Sequence, residues 1–211
     1  MPETVLSKNE IKKRKKKNAL LNSAYDLFTT VGYGKTTVLQ IARRAGVGKG
    51  TFYLYFKDKT DIRDELIAVK SSQLLTQAVK ALQASSGIDS FTDQLVFITD
   101  YIITALSKDI ALLKFISKSL SWGLFNDPSE LSRRNEDVID FKSFIMNAME
   151  QQGIHLRDPL LLIYTIIELT NSTCYNVILH GEPVTFSEYK PYLYNCIRLI
   201  TDGALKDSLD H

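Results

Sequence analysis

The sequence predicts an all-α protein of about nine helices, built as a three-helix N-terminal unit followed by a helical bundle. Apolar residues recur at helical spacing in nearly every segment of the 211-residue chain, and no segment alternates convincingly with period two. Glycines and Asp-Pro pairs stand where these segments stop and start. The sequence contains no low-complexity linker and no internal repeat between the predicted helices.

The first three helices occupy the N-terminal quarter of the chain. The first carries an apolar stripe and should end at Gly32, because glycine suits the position that follows a helix. A second, short helix should begin at Thr36 as its N-cap and stop at Gly46. A third is predicted over residues 49–56, and residues 1–13 are predicted to form a flexible basic arm.

Six further helices are predicted to form the rest of the chain. Asp58 opens the fourth helix, and Ser90 with Asp93 resembles a capping box for the fifth. Two Asp-Pro pairs, at 127–128 and 158–159, combine an N-cap with a proline that the first helical turn tolerates. The predicted spans are about 58–84, from 90 onward, 109–121, 127–153, 158–181 and from about 187.

The charges are divided unevenly along the chain. Residues 1–60 contain 13 Lys and Arg against 4 Asp and Glu, a net charge of +9. Since the whole chain has 26 and 24, residues 61–211 carry 13 and 20, a net charge of −7. The overall +2 therefore conceals a basic N-terminal unit on an acidic body, which favours a polyanion as the partner of the N-terminal unit alone.

Several other classes of protein are disfavoured. No apolar run reaches the roughly 18 residues of a membrane span, and the opening residues lack the layout of a signal peptide, so a cytoplasmic protein is predicted. Cys174 and Cys196 lie in apolar segments and are predicted to be reduced thiols. His155, His180 and His211 are scattered, so no metal site, cofactor or enzymatic activity is predicted.

Residues 36–56 have the pattern of a helix-turn-helix. Gly46 opens a tight turn between two short helices, and the small Ala42 and Ala45 allow those helices to approach closely. The second helix buries Phe52 and Phe56, which leaves its other side chains on exposed faces. A helix of this kind fits the major groove of B-DNA, where its polar side chains reach phosphates and base edges.

This stretch resembles the tetracycline-repressor (TetR) family of transcriptional regulators. The resemblance covers roughly residues 14–66, about a quarter of the chain, and the length and predicted helices of the whole chain also suit the family. The matching positions are Gly32-Tyr33, Thr36-Thr37-Val38, Ile41-Ala42, Ala45-Gly46-Val47, Lys49-Gly50-Thr51, Tyr53, Tyr55-Phe56, Lys59 and Leu66.

The resemblance implies roles at DNA for single residues. Thr37 should bond a phosphate through its hydroxyl and backbone N–H, and Lys59 should contact a phosphate at the start of the fourth helix. Gly50 should permit close approach to the groove, where Thr51 touches bases. Gly48 stands where many members have serine, which removes a side-chain cap from the recognition helix. The implied DNA-binding residues are Thr37, Arg44, Lys49, Gly50, Thr51, Tyr53, Tyr55 and Lys59.

Two of these residue types have a second interpretation. Tyr53 and Tyr55 resemble the family's phosphate-gripping aromatics, although a tyrosine at such a position can also be a half-buried helix residue. The run Lys12–Lys17 is either solvated charge or an arm near the DNA backbone or minor groove.

The resemblance also implies a division of labour between two domains. Residues 1–57 would form the DNA-binding domain, and residues 58–211 would bind an effector and form a homodimer through the last two helices. The sequence supports the dimer independently, because Leu160–Leu179 is apolar almost all the way round. A two-fold dimer would place two recognition helices over a palindromic site in double-stranded DNA.

The position of the effector pocket is less constrained by the residues. Glu168, Asn171, Ser172 and Tyr175 share one stripe of the eighth predicted helix, which faces the pocket, the dimer interface or buried water. If Glu168 lines the pocket, a cationic or hydrogen-bonding effector is favoured. The predicted pocket residues, some of which would otherwise be ordinary core, are Phe97, Tyr101, Phe115, Trp122, Tyr164, Glu168 and Asn171.

These observations together predict a sequence-specific transcriptional regulator, a repressor that an unknown small-molecule effector releases from its operator. The alternative is a regulator of the same fold that has no small-molecule effector and is controlled by a protein partner. A filled or absent cavity in the body would favour the alternative.

Overall fold

A computed structural model describes residues 7–125 and 139–207, and every regular element in these two ranges is a helix. The predicted all-α class is therefore confirmed, with ten α-helices in the described part of the chain where about nine were predicted. A π-helical turn over Phe28–Gly32 extends the first helix. The α-helices are α1 (Lys8–Leu27), α2 (Val38–Arg44), α3 (Lys49–Tyr53), α4 (Lys59–Gln83), α5 (Phe91–Lys108), α6 (Ile110–Ile116), α7 (Leu120–Phe125), α8 (Phe141–Gln151), α9 (Pro159–His180) and α10 (Phe186–Asp207).

The predicted sixth helix is divided into two. Helix α6 ends at Ile116, and a turn in which the Ser119 N–H donates to the Ile116 carbonyl separates it from α7. The predicted start at 127–128 lies outside the described residues. Among the described residues that follow, helix α8 begins after Asp140, whose carboxylate accepts a hydrogen bond from the Ser143 N–H at 2.9 Å.

The start of α1 differs from the predicted flexible basic arm over residues 1–13 in the part from Lys8 onward. Ser7 and Glu10 form a capping box, in which each side chain accepts a hydrogen bond from the other residue's backbone N–H. These bonds satisfy N–H groups that have no partner inside the helix, so the helix begins at Lys8. Residues 8–13 are therefore helical, and the first six residues lie outside the described ranges.

The N-cap of α2 is Thr37, whereas the sequence predicts Thr36. The Thr37 hydroxyl accepts from the Gln40 N–H at 3.2 Å, and the Gln40 side chain accepts from the Thr37 N–H at 2.8 Å. Thr36 is instead buried, and its hydroxyl donates to the Gly32 carbonyl at 2.9 Å. Thr36 thus closes the turn after α1, and its neighbour caps the next helix.

The chain divides into two compact units, Met1–Leu66 and Ile67–His211. Helix α4 spans the division and contributes to both units. The core of the first unit, which we call the head, is formed by side chains from all four of its helices. Its fully buried members include Leu20, Ala24, Ile41, Ala42, Phe52 and Ile62.

The second unit, which we call the body, is a bundle in which α10 packs against both α5 and α9. Polar bonds join α5 to α10: Arg198 pairs with Asp93 at 2.7 Å, and Asp202 accepts from the Thr92 hydroxyl at 2.9 Å. The pKa of Asp93 is lowered by its hydrogen bond from Ser90 and by Arg198. Ser90 caps α5 as the sequence predicts.

Helix α7 packs very closely on α4 within the body. A Cβ added to Gly123 would lie 2.6 Å from the Ser71 Oγ and 3.0 Å from the Ile67 Cγ2. Glycine is therefore required here by the close approach of two helices.

Helix α9 begins at Pro159 and ends at Gly181, which has a positive φ of 67°, as the predicted start and stop signals indicate. One face is buried in the chain and includes Ile166 and Val177. The opposite face mixes exposed apolar side chains, Leu161 (63% exposed) and Tyr164 (47% exposed), with exposed polar ones that include Ser172 and Asn176. No helix in the described ranges combines the length and apolarity needed to cross a membrane.

Candidate nucleic-acid interface and body cavity

The helix-turn-helix is held together by backbone bonds around a glycine turn. Helix α2 ends at Arg44 with Ala45 as its C-cap, Gly46 adopts a left-handed φ of 70°, and the Val47 N–H donates to the Ala42 carbonyl at 3.0 Å. Gly48 is the N-cap of α3 and provides no side-chain hydrogen bond to it. The backbone N–H groups at the start of α3 are therefore free of a side-chain cap, which suits a helix terminus that meets phosphate.

Helix α3 is oriented by two phenylalanines. Phe52 and Phe56 are buried, with their ring centroids 5.6 Å apart. Since α3 has only five residues, burying one side turns the remaining side chains outward. Tyr53 is 51% exposed, and the Lys49 Nζ lies 6.0 Å from the centre of its ring. The outer surface of α3 therefore presents a cation beside an aromatic hydroxyl.

The predicted DNA-binding residues fall into two groups by exposure. Five are exposed, and a Cβ added to Gly50 would meet no described atom within 4 Å. Three are half-buried. The exposed group is Thr37, Arg44, Lys49, Gly50 and Tyr53, and the half-buried group is Thr51, Tyr55 and Lys59.

Arg44 is paired within the head. Its guanidinium donates to the Asp26 carboxylate at 3.0 Å, and each side chain is about half exposed. An exposed ion pair of this kind contributes little to stability. Asp26 therefore competes for Arg44 with any other anion that approaches it.

Lys59 has a structural role that the sequence does not indicate. Its ammonium donates to the Tyr33 carbonyl at 2.7 Å and to the Thr36 carbonyl at 2.9 Å. It also lies 4.3 Å from the centre of the Tyr33 ring. An ammonium has three N–H donors, so one remains for an anion after these two bonds. Lys59 thus ties the start of α4 to the loop before α2.

Lys17, the last residue of the basic run, is also occupied inside the head. Its Nζ lies 2.7 Å from the Glu65 carboxylate and 5.4 Å from the centre of the Phe56 ring. Both charged side chains are largely buried. This arrangement joins α1 to α4 and removes Lys17 from the group of cations available to DNA.

The body contains a cavity of about 50 Å³ between α5, α6, α7 and α9. Nine of its fourteen lining residues are leucine or isoleucine. Of the seven predicted pocket residues, only Asn171 is in this lining, and its side-chain amide donates to the Ser117 carbonyl. Tyr175, from the same polar stripe, also lines the cavity, whereas Ser172 is exposed.

The other six predicted residues lie outside this lining. The Glu168 carboxylate accepts a hydrogen bond from the Ser121 hydroxyl. Trp122 and Tyr164 are 42% and 47% exposed, and the Tyr164 ring packs edge-to-face on Phe125. The remaining three, which pack half-buried against the core, are Phe97, Tyr101 and Phe115.

The cavity wall contains two further groups that the sequence did not single out. The Thr170 hydroxyl is buried and has no hydrogen-bond partner among the described residues. Burial raises the pKa of the Cys174 thiol to about 11, so this thiol is neutral at physiological pH. No cluster of His, Cys, Asp or Glu suited to a metal ion occurs in the described ranges.

Comparison with known proteins gives a consistent result in sequence and in structure. Residues 20–66 match the family model for bacterial regulatory proteins of the tetR family. The chain is 24% identical over 155 residues to the HTH-type transcriptional regulator YhgD of Bacillus subtilis, a match that covers 73% of this chain and 80% of that protein. It is 40% identical over 63 residues to the fatty acid metabolism regulator protein of B. subtilis, covering 30% of this chain and 32% of that one.

The fold is also similar to that of solved structures. The structure of the transcriptional regulator FadR from B. subtilis in complex with stearoyl-CoA matches this chain with a TM-score of 0.54 at 18% identity. That match covers 85% of this chain and 96% of FadR. The helix-turn-helix segment is therefore similar in sequence to bacterial regulatory proteins of the tetR family, and the helical fold is similar to that of FadR.

Proposed function

We propose that this protein is a homodimeric repressor that binds a palindromic operator and is released from it by a small-molecule effector. The observation that carries the proposal is the outer surface of α3, where Lys49 and Tyr53 project from a head with net charge +9 over residues 1–60. A positive helix surface of this size suits the major groove. A chromosomal operator as the ligand would place the protein in the cytoplasm.

The proposed contacts divide into phosphate contacts and base contacts. Thr37, at the exposed N-terminus of α2, is assigned to a phosphate, together with Tyr53, Tyr55 and the third N–H of Lys59. Thr51 is assigned to base edges. Three further residues complete the surface. Arg44 is assigned to DNA after its release from Asp26, and Lys49 is assigned as a cation in the groove. Gly50 allows close approach because it has no side chain.

The proposed dimer uses the exposed faces of α9 and α10. Leu161 on α9 is 63% exposed, and Tyr192 and Leu199 on α10 are each 65% exposed. Apolar side chains at this exposure on adjacent helices favour burial against a second copy. We assign effector binding and dimerisation to residues 58–211 and DNA binding to residues 1–57.

The proposed route from effector to DNA passes through α7. Leu120 and Leu124 of this helix line the cavity, and Gly123 between them touches Ser71 of α4. A ligand that moves α7 would therefore displace α4, the helix that continues into the head. In this scheme the ligand shifts the population towards a state whose two heads no longer fit the operator.

The proposal is tested by selecting a binding site from random double-stranded DNA and measuring its affinity by fluorescence anisotropy. Sedimentation of the free protein and of the complex gives the stoichiometry. We expect two chains on one palindromic site, and a reporter carrying that site should be repressed. Enrichment of no sequence would contradict operator binding. If metabolite extracts never weaken the complex while another protein does, the regulator is controlled by a protein partner and not by a small-molecule effector.

A further inference from the structure

The cavity in the body is electrically neutral. Its described lining contains no Asp, Glu, Lys, Arg or His. Lys190 acts on the wall at Cys174 and is itself paired with Asp100. An ionised ligand against an apolar wall loses its hydration without gaining an opposite charge, so such a wall disfavours ions of either sign.

One polar group in this wall lacks the partner that burial requires. Thr170 is 8% exposed, and its hydroxyl has no hydrogen-bond partner among the described residues. Thr173, three residues further along α9, differs because its hydroxyl donates to the Leu169 carbonyl at 2.7 Å. A buried hydroxyl without a partner is unfavourable, because no protein hydrogen bond replaces the one it lost to water. A ligand that exchanges a hydrogen bond with Thr170 would remove this cost.

The size of the cavity sets a limit on the ligand. A buried water needs roughly 10–15 Å³ of such space and an apolar cavity of about 150 Å³ holds benzene, so about 50 Å³ limits the ligand to a few non-hydrogen atoms. Water forms few hydrogen bonds with a mostly apolar wall. An apolar ligand that displaces this water is therefore the more favourable occupant.

We propose that this cavity binds a compact, uncharged and mainly apolar small molecule that forms one hydrogen bond with Thr170. The inference rests on the proposed function, because it names the chemical class of the effector. It replaces the cationic effector that a pocket lined by Glu168 would favour, since Glu168 is bonded to Ser121 and lies outside the lining.

The test uses four small probes with one shared propyl group: 1-chloropropane, 1-propanol, propylammonium and butanoate. Their affinities for the full-length protein are measured by calorimetry, and thermal unfolding is followed in parallel. We expect both neutral probes to bind more than about tenfold tighter than either ion. Thr170→Val should lower the ratio of 1-propanol affinity to 1-chloropropane affinity about three- to tenfold, because it replaces the hydroxyl with a methyl group of similar size. The control Thr173→Val should leave this ratio unchanged.

Three results would overturn the inference: an ion that binds as tightly as the neutral probes, no binding by any of the four, or an unchanged ratio in Thr170→Val. If Thr170→Val does not fold, the comparison of neutral and charged probes on the wild-type protein still decides. Binding to the selected operator is measured separately without any probe. Failure to bind DNA would therefore reject the proposed function without affecting the result for the cavity.

Discussion

Replacing Lys59 with methionine separates its two roles, the tie inside the head and the proposed phosphate contact. The variant keeps an unbranched apolar side chain over Tyr33 and removes the ammonium, which donates to the carbonyls of Tyr33 and Thr36 at 2.7 and 2.9 Å. Hydrogen bonds to a charged group contribute about 1.5–3 kcal/mol each, and half-burial places these two towards the lower end. We expect the free energy of unfolding of the head to fall by about 2–4 kcal/mol, which raises its equilibrium constant for opening roughly 30- to 1000-fold.

Hydrogen exchange measured by mass spectrometry resolves this change, because it reports the head and the body separately. Peptides from the head should exchange faster in Lys59→Met, and peptides from α9 should not change. Lys35→Met is the matched control, since Lys35 is an exposed lysine of the same head. Equal exchange in the two variants, with DNA affinity lost only in Lys59→Met, would refute the structural role and leave a phosphate contact alone.

Three further substitutions test separate parts of the account. Gly50→Ala should leave the head as stable or up to about 1 kcal/mol more stable, because the added methyl meets open space in the free protein. Operator affinity should fall about tenfold, because the same methyl meets DNA in the complex. Urea unfolding measures the stability and anisotropy the affinity, and undiminished affinity would contradict close approach of α3 to DNA. Asp26→Asn should raise affinity about two- to fivefold by releasing Arg44 from an exposed ion pair, and weaker binding would contradict this competition. Gly123→Ala should destabilise the body by about 1–3 kcal/mol in thermal unfolding, because its Cβ would lie 2.6 Å from the Ser71 Oγ. The double variant Gly123→Ala with Ser71→Ala should recover part of this loss. No recovery would show that the strain arises at another contact.

The sequence predicts those parts of the fold that local chemistry determines. The caps of α5 and α9 are read directly from Ser90 and Asp158-Pro159, and Gly181 ends α9 because it takes a left-handed conformation. The choice between Thr36 and Thr37 as N-cap is different. Both have the same intrinsic preference, and the decision depends on the bond from Thr36 to the Gly32 carbonyl, which is a feature of the folded turn.

The DNA-binding surface and the cavity also depend on contacts between distant parts of the chain, which local sequence does not indicate. The helix-turn-helix lies within one short segment, so spacing alone locates its exposed and buried faces. The acceptors of Lys59 are 26 and 23 residues away in sequence, at Tyr33 and Thr36, and no local pattern indicates them.

The cavity was harder to predict for a related reason. Helical periodicity indicates which residues of a helix share a face, but it does not indicate which face borders an internal space. The predicted walls were aromatic, whereas the observed wall is mostly leucine and isoleucine. These residue types are the same as those of the surrounding core, so composition alone does not distinguish the wall from the core.

The most direct test of the central claim, that the outer surface of α3 reads DNA, is the salt dependence of binding to the selected operator. Wild-type protein and Lys49→Ala are compared by anisotropy on the operator and on a scrambled duplex. We predict steep loss of affinity with salt, a slope reduced by about one in the variant, and wild-type preference for the operator of at least about a thousandfold. Equal affinity for both duplexes, with a slope that Lys49→Ala does not change, would contradict the claim.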